Sequence, residues 1–600
     1  MLVRIKRGLA CAALLLLVPS ARAAESDALA ILANIKALHL PWGTILDPVF
    51  ADLNSNQIVG YTRCGDSAIW TGHYLAAEAF RYQVTQAPDA LANVQQAIAG
   101  IKGLVDVTGT NLLARCIVFA DWPFSAGIQS EETVNGIHMN PPWFWVGNTS
   151  RDEYCGVIFG LGVAYDMVDD AAVKSSISDL VTRLVRFLTG HNWSVEMPDG
   201  STSTTFLVRP DEMLAFLQVG RHVNSGEFSF DYDLQRVLLA DTGVLFAPLG
   251  VDVLDNSSYF KFNLDYISLY NLDRLESSST QAIYEKAYSI VRNHTAGHQN
   301  AFFDIIDRAL EGPDAARDQE FQTLLDQWLL RPSRDLFVDV SGVVPVCGTE
   351  ACDPVPVPLR PPTDFLWQRD PFQLSGGAAG QTERAGIDYI LPYWMGRYYG
   401  VIGPFTVESA VKGMPDVAPD GMAALVGSNL AAQTQRVDAQ QPLPTSLGGV
   451  TLTVKDSSGI ERPALLAAVS PDRIDFVVPD GTAPGTATFS IQGAAHTLSA
   501  AGNVQLVAPA LLRAAVDSTD PQSIRLRLFG TGIRNRSALD GVSVTVNGVS
   551  LQVVYAGPQS SSEWMDRVGV LLPSSLIGSG ASNVVLTVDG QTANTLTVNL

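Results

Sequence analysis

Cys64–Thr85 reads CGDSAIWTGHYLAAEAFRYQVT, and this stretch decides how the first half of the chain is built. Gly65-Asp66-Ser67 is turn chemistry, and apolar residues follow at helical spacing, which predicts a helix over 67–85. Asp66, Trp70 and His73 stand at i, i+4 and i+7, so one face of the first two turns carries a carboxylate, an indole and an imidazole. Such a set at a helix mouth reads as the rim of a pocket rather than as core.

Working outward, similar amphipathic runs recur on both sides. They lie at Ser26–Leu38, Asp89–Val105, Tyr154–Val168, Ala171–Leu188, Asp211–Val223 and Tyr232–Leu245. They continue at Phe262–Leu275, Thr280–Arg292, Gln299–Leu310, Ala315–Leu330 and Glu383–Tyr399. Phe321, Leu324, Leu325, Trp328 and Leu329 show the spacing plainly among charged neighbours. With 67–85 the count is about twelve helices. Aromatic loops interrupt them at Trp122-Pro123, Pro141–Trp145 and the Pro-rich stretch that precedes Asp364–Gln368. Long loops that carry tryptophan are expected to pack over one face of the helices.

Near residue 402 the pattern changes to short β-rich runs separated by Gly, Pro, Asn and Asp, and these runs repeat. Gly427–Leu430 corresponds to Gly530–Ile533, Gly449–Val454 to Gly541–Val546, and Asp472–Pro479 to Asp566–Pro573. Two tandem β-sandwiches are expected, over 403–507 and 508–600, after a helical domain over 24–402.

The chain opens with a basic stretch holding Arg4, Lys6 and Arg7. An apolar run of about ten residues and Ala21-Arg22-Ala23 follow, the signature of a secretory signal over 1–23. A secreted or periplasmic soluble protein is expected, without membrane insertion. The 600 residues carry a net charge of −22, and no basic stripe relieves it, which argues against nucleic acid as a partner. Cys11 lies in the leader. Of the remaining five cysteines, Cys347 and Cys352 are expected to pair across a short loop. Cys64–Cys116 and Cys64–Cys155 are both open, and one thiol must stay free.

Two resemblances follow from these motifs. The duplicated Gly-Ser-Asn-Leu turn, GVTLTV strand and DRIDFVVP strand resemble the IPT/TIG-type immunoglobulin-like modules of secreted bacterial proteins. That resemblance implies spacer, stabilising or cell-surface docking roles. The helix count, the GDSAIWTGHYLAAEAFRY opening and the glycine-rich YCGVIFGLGVAYD helix resemble an (α/α)6 toroid of the six-hairpin glycosidase type. Proteins of that shape include glycoside hydrolases, polysaccharide lyases and uronyl epimerases, so the fold does not choose a reaction. The overall expectation is multidomain: an all-α toroid, then two all-β immunoglobulin-like sandwiches.

The candidate chemistry is carbohydrate chemistry. Asp66 reads either as a helix N-cap or as a general acid or base at the toroid mouth. Arg151-Asp152-Glu153-Tyr154 reads either as a charged helix start or as a site where Asp152 or Glu153 faces Asp66 across a sugar. Asp66, Asp152 and Glu153 are the catalytic candidates. Trp70, His73, Trp145, Arg151, Tyr154, His191, Asn263, Tyr266, His294, His298, Trp367 and Arg397 are the substrate-binding ones. Rings stack on sugar faces and Arg binds carboxylates, though many of these rings are expected to be core. His294 and His298 are four apart but lack the Glu of an HExxH motif, and Gly297 interrupts them, so no metal is expected. No P-loop, GxGxxG or GxSxG occurs, and no cofactor is expected. The leading reading is a glycoside hydrolase acting on a polysaccharide or oligosaccharide. A lyase or uronyl epimerase using a Tyr/His/Arg set is the alternative, and a non-catalytic glycan-binding or cell-surface protein is the competing class.

Overall fold

The structure is a computed structural model, and it describes residues 23–411, 413–438, 441–493, 497–517, 524–560 and 562–600. The leader reading therefore falls, all but Ala23, outside the described residues. Two compact units emerge, Glu25–Gly403 and one holding Pro404–Leu600.

The first unit is helical. Its fourteen described helices are α1 (Glu25–Asn34), α2 (Ser67–Thr85), α3 (Pro88–Asp106), α4 (Ser125–Glu131), α5 (Arg151–Met167), α6 (Ala171–Gly190) and α7 (Pro210–Val223). They continue with α8 (Ser225–Leu239), α9 (Phe246–Asp252), α10 (Phe260–Arg274), α11 (Gln281–Thr295), α12 (Ala301–Glu311), α13 (Ala315–Trp328) and α14 (Ile387–Tyr398). α2 packs on α5, α5 on α7, α7 on α10, α10 on α12, α12 on α14, and α14 back on α2, which closes a ring of six. Each ring helix has a partner outside: α3 on α2, α6 on α5, α8 on α7, α11 on α10, α13 on α12 and α1 on α14. Burial follows this division. α2, α5, α7 and α10 are buried almost all round, whereas α3, α6 and α11 bury one stripe.

Glycine sets the closest approach in the ring. A Cβ on Gly72 would lie 2.0 Å from the Gly156 carbonyl oxygen, and one on Gly160 would lie 2.2 Å from that of Gly72. α2 and α5 therefore meet backbone to backbone, which only glycine permits there.

The unit is not purely α-helical as expected. Ile58–Thr62, Asp47–Phe50, Ser375–Glu383 and Arg334–Asp339 form one antiparallel sheet in that order. Cys116–Phe119, Trp143–Val146 and Ile137–Asn140 form another. The aromatic loop at Trp143 is thus partly a central strand, where bulky rings are at home on a pleated surface. Helix α14 starts at Ile387, later than expected, because Gly386 sits at φ +71° and ends the preceding strand region.

The second unit is β-rich, and its internal repeat is structural. Met422–Gly427 pairs with Arg473–Val477, and Arg525–Thr531 pairs with Asp566–Leu571. Val450–Lys455 pairs with Gly485–Gln492, and Val542–Val546 with Ala581–Val588. Each repeat thus contributes two sheets around one apolar cluster, in which Val450, Leu452 and Val454, or Val542, Val544 and Val546, turn inward at every second position.

Cys64–Cys116 and Cys347–Cys352 are disulfides, and Cys155 is free and buried. Two disulfides are compatible with an oxidising compartment. Among the described residues no helix is long and apolar enough to cross a membrane.

Candidate functional site

A chain of charged contacts joins the starts of α2, α5 and α7 to α10. Arg115 precedes the Cys116 strand, which the disulfide ties to the turn before α2. Its guanidinium donates to the Gly65 carbonyl at 2.7 Å and to Glu153 at 2.7 Å, and so links the starts of α2 and α5. Arg151 reaches Glu212 at the start of α7 at 3.1 Å. Arg209 bonds Asp211 at 2.7 Å and also pairs with Asp252 and with Asp265 of α10. On the opposite flank Arg63 and Arg369 both pair with Asp364. Arg63 sits at φ 63°, a left-handed conformation that is uncommon for a branch-bearing residue.

Within this belt the three carboxylates proposed as catalytic have different surroundings. Asp66 is partly buried and makes no capping hydrogen bond to its own helix, so the N-cap reading does not hold. Asp152, in the first turn of α5, is also partly buried. Its pKa is raised, first by burial and then by the negative charge of Asp66, against the opposing arginines Arg151 and Arg115. Glu153 is different and corrects its catalytic reading. It is wholly buried, one oxygen accepts from Arg115, and the other closes a capping box with Ser150. Both oxygens are occupied, so Glu153 is an anchor for the helix start.

The substrate-binding candidates divide in the same way. Trp70 and His73 are core and not a rim, 3% and 0% exposed. His73 donates Nδ1–H to the Ile69 carbonyl at 3.0 Å, and its Nε2 lies 3.3 Å from the Asn263 amide. Burial holds its pKa down at about 4, so the ring is neutral. Trp367, also fully buried, packs on His73 and Phe302. The Trp70 and His73 part of the face that looked like a rim is packed core, because the loop carrying Trp367 covers it. Tyr154 is buried with its hydroxyl accepting from Leu113 N, and Tyr266 is buried against Phe303 with its hydroxyl on Thr295. Trp145 stacks on His138 at 4.1 Å within its sheet. His191 is held by the Phe187 carbonyl at 2.7 Å at the end of α6. Arg397 lies in the last turn of α14, the far end from the charged belt, and pairs with Glu25.

Arg151 remains in the belt, and two histidines lie beside its Arg63 flank. His298 Nδ1 is 3.1 Å from the Tyr259 hydroxyl, and His294 Nε2 is 2.9 Å from Asn256 Oδ1. Each imidazole has its own protein partner. No group of three or more His, Cys, Asp or Glu among the described residues is arranged to hold a metal ion. Burial and the neighbouring His294 hold His298 down at about 4. A cavity of about 340 Å³ opens here, lined by Arg63, Tyr259, Asp364, Arg369 and the 256–258 turn.

Sequence reading missed Arg63, Arg115, Arg209, Glu212 and Asp265. Arg63, Arg209 and Glu212 precede or open a ring helix, Arg115 precedes a strand and Asp265 lies in the second turn of α10, and nothing local says that these places converge. The one available signal was Arg209-Pro210-Asp211-Glu212, a charged helix start of the same kind as Arg151-Asp152-Glu153.

The chain matches no protein-family profile, and no curated protein matches it. Among solved structures, a crystal structure of bovine butyrophilin aligns over 33% of this chain and 99% of its own, at 11% identity and a TM-score of 0.14. That likeness is too low to speak for a shared fold.

Proposed function

We propose that Glu25–Gly403 is an (α/α)6 toroid of the six-hairpin glycosidase type, followed by two immunoglobulin-like modules, in an exported protein that hydrolyses glycosidic bonds. The ring of six helices with six outer partners supports the toroid reading. The observation that carries the reaction is the pair Asp66 and Asp152, both partly open to solvent at the starts of adjacent ring helices. Burial and the Asp66 charge raise the Asp152 pKa, which suits it to the general-acid role. Asp66 is the carboxylate that activates water or attacks the sugar. The substrate is a polysaccharide or oligosaccharide, and the acidic surface disfavours nucleic acid.

A second reading has its own support. The Tyr259–His298 pair beside Arg63 and Arg369 suits β-elimination from a uronic acid, with an arginine on the carboxylate and the tyrosine or histidine moving the α-proton. One assay separates the two. Purified protein is incubated with neutral and uronic-acid polysaccharides while reducing ends and the ultraviolet absorbance of an unsaturated product are followed. Reducing ends without absorbance, lost in Asp152→Asn, are expected. Absorbance lost in Tyr259→Phe and kept in Asp152→Asn would replace hydrolysis by elimination. Silence in both channels across the panel would favour a binding protein over an enzyme.

A further inference from the structure

We propose that the groove between the two β-modules is a second carbohydrate site, which binds a neutral oligosaccharide. Its volume is about 770 Å³, within the range of roughly 300–1,000 Å³ usual for small-molecule sites. The modules that form it are directly bonded: Met422 N donates to Thr531 Oγ1 at 2.7 Å, and Asn535 Nδ2 donates to the Pro419 carbonyl at 3.0 Å. The groove is therefore built into this unit.

Its lining has the chemistry that sugars need. Trp564 lines the groove, is partly exposed and belongs to neither apolar core. A pyranose lays its C–H face on such a ring and turns its hydroxyls outward to polar neighbours. Those neighbours are held in place. The Arg513 guanidinium lies over the Phe529 ring at 4.0 Å. Arg473 is fixed by Asp475 at 2.7 Å and Glu408 at 3.2 Å. Both present planar donors without needing to be ordered by the ligand, which lowers the entropy cost of binding.

Charge selects the class of glycan. Arg436, Arg473 and Arg513 are balanced in the groove by Asp438, Asp475 and Glu563. A balanced lining on a chain of net charge −22 offers a polyanion no attraction. That the ligand is a sugar rests in part on the proposed function of the helical unit, but occupancy of this groove does not depend on catalysis.

The test is calorimetric titration of the full chain, in an Asp152→Asn background that avoids turnover. The probes are the linear hexasaccharides of glucose, mannose and xylose, with hexagalacturonate as the anionic comparison. Saturable binding of at least one neutral probe is expected, weakened about tenfold or more by Trp564→Ala and a few fold by Arg513→Ala. Hexagalacturonate is expected to bind more weakly. Thermal melting reports whether Trp564→Ala is folded; if it is not, Arg513→Ala and Arg436→Ala decide. The proposal is overturned if no neutral probe binds at millimolar concentration, if folded groove variants bind as well as their parent, or if the anionic probe binds more tightly. Undiminished binding in the groove variants, with intact hydrolysis in the unmutated chain, would leave the catalytic reading standing and remove only this one. Groove binding without hydrolysis would do the reverse.

Discussion

At the scale of single residues, the Asp66 charge acts on Asp152, and this makes the roles proposed for them separable. General acid–base groups contribute about 10²–10⁴-fold to rate, so Asp152→Asn and Asp66→Asn are each expected to lower kcat by that order. The signs of their pH effects differ. Asp66 raises the Asp152 pKa, and its neutralisation lowers it. The residual activity of Asp66→Asn should therefore lose its alkaline limb at lower pH than the parent does. An unmoved or alkaline-shifted limb would reject Asp152 as the acid. Glu153→Gln is expected to behave otherwise, because Arg115 loses its charged partner in a buried setting. Breaking one side of such a pair costs about 3–5 kcal/mol, so urea unfolding should show the loss. This division between Asp152 and its neighbour Glu153 was not legible in the sequence. Two adjacent acids at a helix start look alike until Ser150 and Arg115 are seen to take up Glu153. His73 and Trp70 misled for the converse reason. Polar and aromatic types suggested a rim, but the Trp367 loop, distant in sequence, buries them.

At the scale of elements, the contact of α2 with α5 is the one the ring can least change. Gly72→Ala or Gly160→Ala would force a Cβ into a backbone carbonyl, with no flexible side chain to yield. Overpacking of a well-filled interior costs about 1–3 kcal/mol and more where backbone must move. Each variant is therefore expected to lose at least that much in urea unfolding, or to fail to fold. Gly103→Ala in α3 is the control. Its Cβ meets nothing within 4 Å, and helix propensity alone should stabilise it by about 0.5–1 kcal/mol. Equal effects at the two positions would contradict the close approach. This contact was readable in advance, since a helix carrying Gly156, Gly160 and Gly162 announces close packing. Most of the helices were equally readable from their periodicity, and the β-repeat from its duplicated strands, but the seven-residue helices α4 and α9 were not. The small sheets of the helical unit were not. Ser375–Glu383 reads SGGAAGQTE, with no alternation, and becomes a strand only because distant partners at 47–50 and 334–339 supply its hydrogen bonds.

At the scale of the whole molecule, the buried carboxyls make stability depend on pH in a definite direction. Burial holds Asp304 up at about 8 and Asp273 at about 6. Such groups keep protons in the folded protein that they lose in the unfolded chain at about pH 4–4.5. Their full contribution is present below that point and disappears as pH rises through the folded pKa. The two histidines held down at about 4, His73 and His298, act oppositely. They favour the folded state increasingly as pH rises from about 4 to 6.5, and above that they are neutral in both states and contribute nothing further. The window from about pH 6.5 to 8.5 is therefore governed by the carboxyls. His39, raised by Asp47 and Glu383 against its burial, adds a loss of the same sign. Each proton that unfolding releases lowers stability by about 1.4 kcal/mol per pH unit. The melting temperature of the helical unit should consequently fall between pH 6.5 and 8.5. Asp304→Asn, which cannot ionise, should flatten that fall when the two proteins are scanned side by side by calorimetry. A melting temperature that holds steady or rises across the window would mean that Asp304 and Asp273 are charged in the folded state.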